Sequence, residues 1–140
     1  MIVDASAVVA ILRQEPEAAA FAKAMEEAAV CRISAVNYVE AGVVIDSEKN
    51  PVASRRLDEL LRIANIEIAS VTPEQAHTAR AAYRSFGRGS GHPAKLNFGD
   101  CFAYALTVTT GEPILFKGEE FTKAGLKSAL EKMKPDVRTH

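Results

Sequence analysis

The chain has 140 residues, 48% of them hydrophobic and 25% charged, with a formal net charge of −1. That is one domain's worth of chain with enough apolar matter for its own core. It excludes intrinsic disorder, a disulfide-rich secreted module and a protein drawn as a whole to nucleic acid or membrane. No apolar run approaches the ~20 residues of a bilayer span, and the N-terminus lacks the basic start of a secretory signal. A single soluble domain over 1–140, in the cytoplasm, is expected. Cys31 and Cys101 show no CxxC or metal-ligand spacing and read as two buried thiols.

In chain order, residues 1–4 read as a short buried strand ending at Asp4. A helix start follows over 5–13, with Ser6 near its first turn. Pro16 opens a helix over about 16–29, and Val30 to Ile33 is a second apolar strand. Ser34 caps a helix running to about Glu48. Its Val36, Val39, Val43 and Val44 suggest a packed side that Glu40 borders. Asn50-Pro51 starts the next helix, which ends near Ala64; Ile66 to Ser70 alternates as a strand. Thr72-Pro73 caps a helix to about Phe86, and the glycines of 87–95 predict an exposed loop. Asn97 caps a helix from Phe98 to about Thr110, which Gly111 stops. Pro113 to Phe116 is a last strand, with a helix from about Phe121. Short apolar strands alternating with helices predict an α/β fold on a mostly parallel sheet.

In such sheets ligands gather beyond the carboxyl ends of strands. Asp4 stands there, as a helix cap or as a carboxylate at the ligand edge. Asp100 is third in Asn97-Phe98-Gly99-Asp100, either a capping-box residue or an acid facing a site. Gly99 in a first helical turn suits a close approach to the backbone. Glu119 and Glu120 follow the last strand. With Glu40, acids from four separate segments therefore fall where the sheet collects ligands. Clustered carboxylates need a proton or a cation, and oxygen ligands suit Mg²⁺ or Mn²⁺. His77, His92 and His140 lack zinc spacing. Residues 1–79 sum to −5 and residues 80–140 to +4, and no acid lies between Glu74 and Asp100. Arg80, Arg84, Arg88 and Lys95 fall in that gap. They read as a solvated basic face or as a phosphate-binding stripe, with Arg80, Arg84 and Lys95 as candidate RNA contacts.

The sequence resembles the PIN-domain ribonucleases, and within them the VapC-type toxins of toxin–antitoxin systems. The resemblance rests on Ile2-Val3-Asp4-Ala5-Ser6-Ala7, on Ile33-Ser34-Ala35 through Glu40-Ala41, on Asn97 to Ala105, and on Gly111 to Gly118 with Phe121. It implies a PIN-like three-layer fold with about five mostly parallel strands between helices. It implies Asp4, Glu40 and Asp100 as metal-site acids, with Ser6 and Asn97 supporting them. It implies a VapB-type antitoxin bound beside the site, within a complex that contains a toxin homodimer. The last motif departs from the family: Glu120 stands where Asp is usual, and Ala124-Gly125 where a Thr-Asp pair often follows.

Two readings follow. One is an Mg²⁺-dependent endoribonuclease toxin using Asp4, Glu40, Asp100 and Glu120 on RNA phosphodiesters. The other is a catalytically weakened PIN domain that binds protein and RNA with its antitoxin. A small phosphatase or receiver domain fits poorly, because Ser6 stands where a phosphatase needs a second Asp and no acid pair precedes a phosphorylatable Asp.

Overall fold

In the computed structural model, which describes residues 1–133, four short strands form one parallel sheet. They are β1 (Ile2–Val3), β2 (Cys31–Ser34), β3 (Ile66–Ala69) and β4 (Ile114–Leu115), in the order β3-β2-β1-β4. The helices are α1 (Ala5–Leu12), α2 (Ala18–Glu27), α3 (Ala35–Asp46), α4 (Pro51–Ile63), α5 (Pro73–Phe86), α6 (Phe98–Thr110) and the single turn α7 (Glu120–Lys123).

A parallel sheet covered on both faces needs strands that are apolar throughout. Val3, Ile33 and Leu115 pack into one core cluster with residues of α1 to α4, among them Val8, Phe21, Ala41 and Leu57. Ile2 and Ile114 pack into a second cluster with α5, α6 and α7, among them Ala79, Ala82, Leu106 and Phe121. Neighbours in sequence thus serve opposite faces, which is the period-2 geometry of a strand. The result is three layers, with the sheet between two sets of helices. The chain runs β1 to β2 to β3 in one direction and then crosses to β4 on the far side of β1. Right-handed crossovers in opposite directions put helices on opposite faces and open a crevice where the direction reverses, between β1 and β4.

Local chemistry sets most boundaries. The side chains of Asp4, Ser34, Asn50, Thr72 and Asn97 each accept a backbone N–H at a helix start. Gly111, at φ 72°, ends α6 in the left-handed conformation that glycine favours.

Four expectations need correction. The strand count is four among the described residues. Where a fifth strand would extend the β4 edge, one bridge joins Ile114 to Ser128, and a 3₁₀ turn at Ala129–Met133 follows. A one-residue bridge cannot continue a ladder once the backbone coils. The helix expected from about Phe121 is correspondingly split into α7 and that turn.

The packed side of α3 is also different. Its buried stripe is Asn37, Ala41 and Ile45, at i, i+4 and i+8, whereas Val39 and Val43 are 59% and 64% exposed. A buried asparagine with partners took a position that a hydrophobic pattern gives to valine. The 87–95 loop is exposed only in part: Gly87 and Ala94 are buried, and Gly87 bridges Leu96.

Candidate active site

The crevice between β1 and β4 begins at Asp4, the first residue beyond β1. Asp4 is 4% exposed and caps α1, its Oδ2 accepting the Ser6 N–H at 3.0 Å. Its Oδ1 is buried with no hydrogen-bond partner among the described residues. A buried carboxylate oxygen with nothing to bind is costly and calls for a proton or a cation. Ser6 ties the end of β1 to the end of the neighbouring edge strand: its Oγ accepts the Lys117 N–H at 2.9 Å, just beyond β4.

Glu40 enters from α3, half-buried. Asn37, fully buried one turn earlier, donates its amide to Glu40 Oε1 at 3.3 Å and to the Gly99 carbonyl at 2.9 Å. One side chain therefore docks α3 onto the start of α6 and fixes the second acid. Gly99 admits this approach. A Cβ there would stand 2.0 Å from Glu40 Oε2, far inside contact distance. Asp100 follows in a reciprocal capping box: Asn97 Oδ1 accepts the Asp100 N–H at 2.8 Å, and Asp100 Oδ2 accepts the Asn97 N–H at 2.9 Å.

Beyond β4 the chain turns at Gly118, where φ is 111°. Glu120 folds back over that glycine, its Oε2 2.3 Å from where a Cβ would be. Glu119, 81% exposed, pairs with Lys123 at 3.3 Å. Of the two glutamates, Glu120 is the one that faces the other acids.

The electrostatics follow. Burial pushes the Asp4 carboxyl above the usual range, against its hydrogen bonds from Ser6 and Ala5, and Glu120 adds repulsion. Burial raises Glu40 as well, with Asp4 adding to it. Asp100 is pushed up to about 7, first by burial, with Asp4, Glu120 and Glu40 each contributing. Asp100 thus feels all three other acids, and Asp4 stands between Glu40 and Glu120 in these interactions. Among the described residues, no three His, Cys, Asp or Glu side chains are drawn close enough to form a ready-made metal cage. The donor set nonetheless fits a hard divalent cation: all oxygen, mutually repelling, with one buried atom unpartnered.

The basic residues divide. Lys95 lines a cleft of about 620 Å³ with Arg88, Gly118, Glu119, Glu120 and Lys123. Arg80 and Arg84 stand exposed on α5 and do not line it. The acid-free stretch from Glu74 to Asp100 contained the signal for Arg88, but spacing along the chain could not show which of its cations turn to the acids. Asn37 gave no sequence signal beyond being a polar residue in an apolar helix. An apolar groove lies on the other flank, lined by Val36, Val39, Val43, Val44, Phe98 and Gly99 beside Glu40.

A parallel sheet with its acids at the β1/β4 crevice defines the class. A PIN-domain family profile matches residues 1–127, and the chain belongs to that family, within its VapC group. It is 54% identical over 132 residues to VapC ribonuclease Mb0625 of Mycobacterium bovis and to ribonuclease VapC28 of Mycobacterium tuberculosis. Those matches cover 94% of this chain and 99% of each relative. Ribonuclease VapC42 of Mycobacterium tuberculosis is 46% identical over 129 residues, covering 92% of this chain and 98% of the relative. Among solved structures, Mycobacterium tuberculosis VapC20, described as a sarcin-ricin loop cleaving toxin, superposes with a TM-score of 0.70. It is 14% identical and covers 89% of this chain and 95% of that one, a likeness of fold.

Proposed function

We propose that the chain is a metal-dependent endoribonuclease toxin of a toxin–antitoxin pair, hydrolysing RNA phosphodiesters at the Asp4–Glu40–Asp100–Glu120 basin. The observation that carries the reading is Asp4, a buried carboxylate at the reversal point of the sheet with Oδ1 unpaired and three further acids around it. Asp4 and Asp100 would hold Mg²⁺ or Mn²⁺, and Glu40 would complete or orient the set. Such an ion supplies Lewis-acid polarisation of the phosphate and a lowered pKa for an attacking water.

The chain's own groups then have distinct tasks. The Ser6 N–H takes Asp4 Oδ2 and leaves Oδ1 to the ligand. The Asn97 cap holds Asp100 by Oδ2. Asn37 holds Glu40. Glu120, one methylene longer than the aspartate usual there, leans over Gly118 towards Asp4 and Asp100.

The partners follow the named relatives. A VapB-type antitoxin would cover the apolar groove beside Glu40, where Val39, Val43 and Phe98 are exposed. Self-association through α4, whose Val52 and Ile63 stand exposed, belongs to the same reading. So does a cytoplasmic setting, where the unpaired, buried Cys31 and Cys101 would stay reduced. Among the described residues, no helix is long and apolar enough to cross a membrane.

The test is RNA cleavage. Wild-type chain should cut RNA with Mg²⁺ and stop when the metal is chelated. Asp100→Asn should lose at least about a hundredfold in rate, several kcal/mol of transition-state stabilisation, while keeping its melting temperature. Cleavage by Asp100→Asn at the wild-type rate would remove the acid basin from the chemistry.

A further inference from the structure

Four carboxylates make a hostile approach for a polyanion. One divalent ion offsets two of those charges, and the phosphates flanking the cut need cations of their own. The cleft beside Glu120 contains three: Arg88, Lys95 and Lys123. Lys123 is engaged, paired with Glu119. Arg88 and Lys95 are exposed, and neither forms an ion pair among the described residues, with Glu120 or with any other acid.

The loop that carries them is braced. The Arg88 N–H donates to the Leu96 carbonyl at 2.9 Å, and the Leu96 N–H to the Phe86 carbonyl at 2.9 Å. Ser90 Oγ donates to the Gly87 carbonyl at 2.7 Å and accepts the His92 N–H at 3.1 Å. His92 Nδ1 accepts the Ala94 N–H at 3.0 Å, and the His92 ring meets Phe86 edge-on at 4.8 Å. Ala94 and Leu96 are buried, which anchors the loop in the core. Between them Lys95 is held at φ 51°, a conformation that costs any residue with a Cβ. Its side chain is exposed between these two anchors, at the cleft that Glu120 also lines.

We propose that Arg88 and Lys95 form a phosphate seat that holds the RNA backbone next to the scissile bond, with the braced 87–96 loop setting their position. The proposal rests on the ribonuclease reading above. The seat is electrostatic and contacts backbone oxygens, so it carries no base preference. It excludes Arg80 and Arg84, which lie outside the cleft.

The experiment measures binding of a short fluorescent RNA across a salt series, and separately kcat and KM. The variants are Arg88→Gln, Lys95→Gln and the double change, with Arg56→Gln on α4 as the control. The seat predicts about tenfold weaker binding for the double variant, the loss expected when charge-assisted hydrogen bonds go. It predicts a slope of log affinity against log salt shallower by about 0.7 per cation removed. It also predicts that KM rises more than kcat falls, equally for two RNAs of unrelated sequence, while melting temperature holds. A loop that is only structural would lower melting temperature and leave the salt slope alone, which would overturn the seat. So would wild-type affinity and slope in the double variant. If the wild-type chain neither binds nor cuts RNA, the ribonuclease reading fails and the seat with it. If it cuts RNA and the double variant matches it, only the seat fails.

Discussion

The missing methyl group at Gly99 separates stability from chemistry. In an ordinary helix, Gly to Ala is stabilising by about 0.5–1 kcal/mol. Here the new Cβ would collide with the Glu40 carboxylate, the free end of a flexible side chain, which can swing away. Gly99→Ala should therefore keep or slightly raise the melting temperature, yet cut metal-dependent cleavage by about tenfold or more, the usual scale for displacing a supporting group. Thermal denaturation beside an RNA cleavage assay checks this, and wild-type activity would show that Glu40 need not stand where it does. At this scale the sequence was largely readable. Asp4 and Asp100 each admit a capping role and a ligand role, and the geometry accommodates both. In each case the hydrogen bonds to the helix start use Oδ2 only. Asn37 was not readable, because its importance lies in a bond to Gly99, sixty-two positions away.

Helix α3 shows what periodicity can and cannot carry. Its four valines share one stripe that lines the open groove, and the buried side is instead the one with Asn37, whose amide nitrogen holds Glu40 and the Gly99 carbonyl. Two substitutions two residues apart should then behave oppositely. Ile45→Ala removes a fully packed side chain and should cost about 2–5 kcal/mol. Val43→Asp changes a residue 64% exposed and should stay within about 0.5 kcal/mol of wild type. The same Val43→Asp should abolish co-purification with the antitoxin, because a charge would enter the apolar groove. Denaturant melts and a pull-down with the cognate antitoxin separate the two effects. A Val43→Asp protein that still captures the antitoxin would move the docking surface elsewhere. Helix starts were legible because Asn50, Thr72 and Asn97 act within three residues of themselves. The four strands read from the sequence all form, whereas the resemblance implied about five; beyond β4 only the Ile114–Ser128 bridge pairs, an edge pairing that no local pattern sets.

For the whole molecule, the near-zero net charge averages an acidic basin and a basic cleft wall. The sheet order brings them together: β1 and β4 are adjacent although 110 residues separate their ends, so Asp4 meets Glu120, and Glu120 in turn lines the cleft with Arg88 and Lys95. Such a meeting depends on topology, and motif resemblance foresaw it better than composition did. The basin also sets a pH dependence. With Asp100 pushed up to about 7 and Asp4 and Glu40 raised, the metal-free site holds protons near neutrality. Protonated carboxyls bind cations poorly, so a metal must displace protons, and affinity should climb as pH rises through about 7 and then level off. The most direct measurement is calorimetric titration of Mn²⁺ into the wild-type chain and into Asp4→Asn, at about pH 8 and about pH 6. The account predicts saturable binding with proton release by the wild type at the higher pH, weaker binding at the lower, and none by Asp4→Asn. No binding by the wild type at millimolar Mn²⁺, or equal binding by Asp4→Asn, would contradict it.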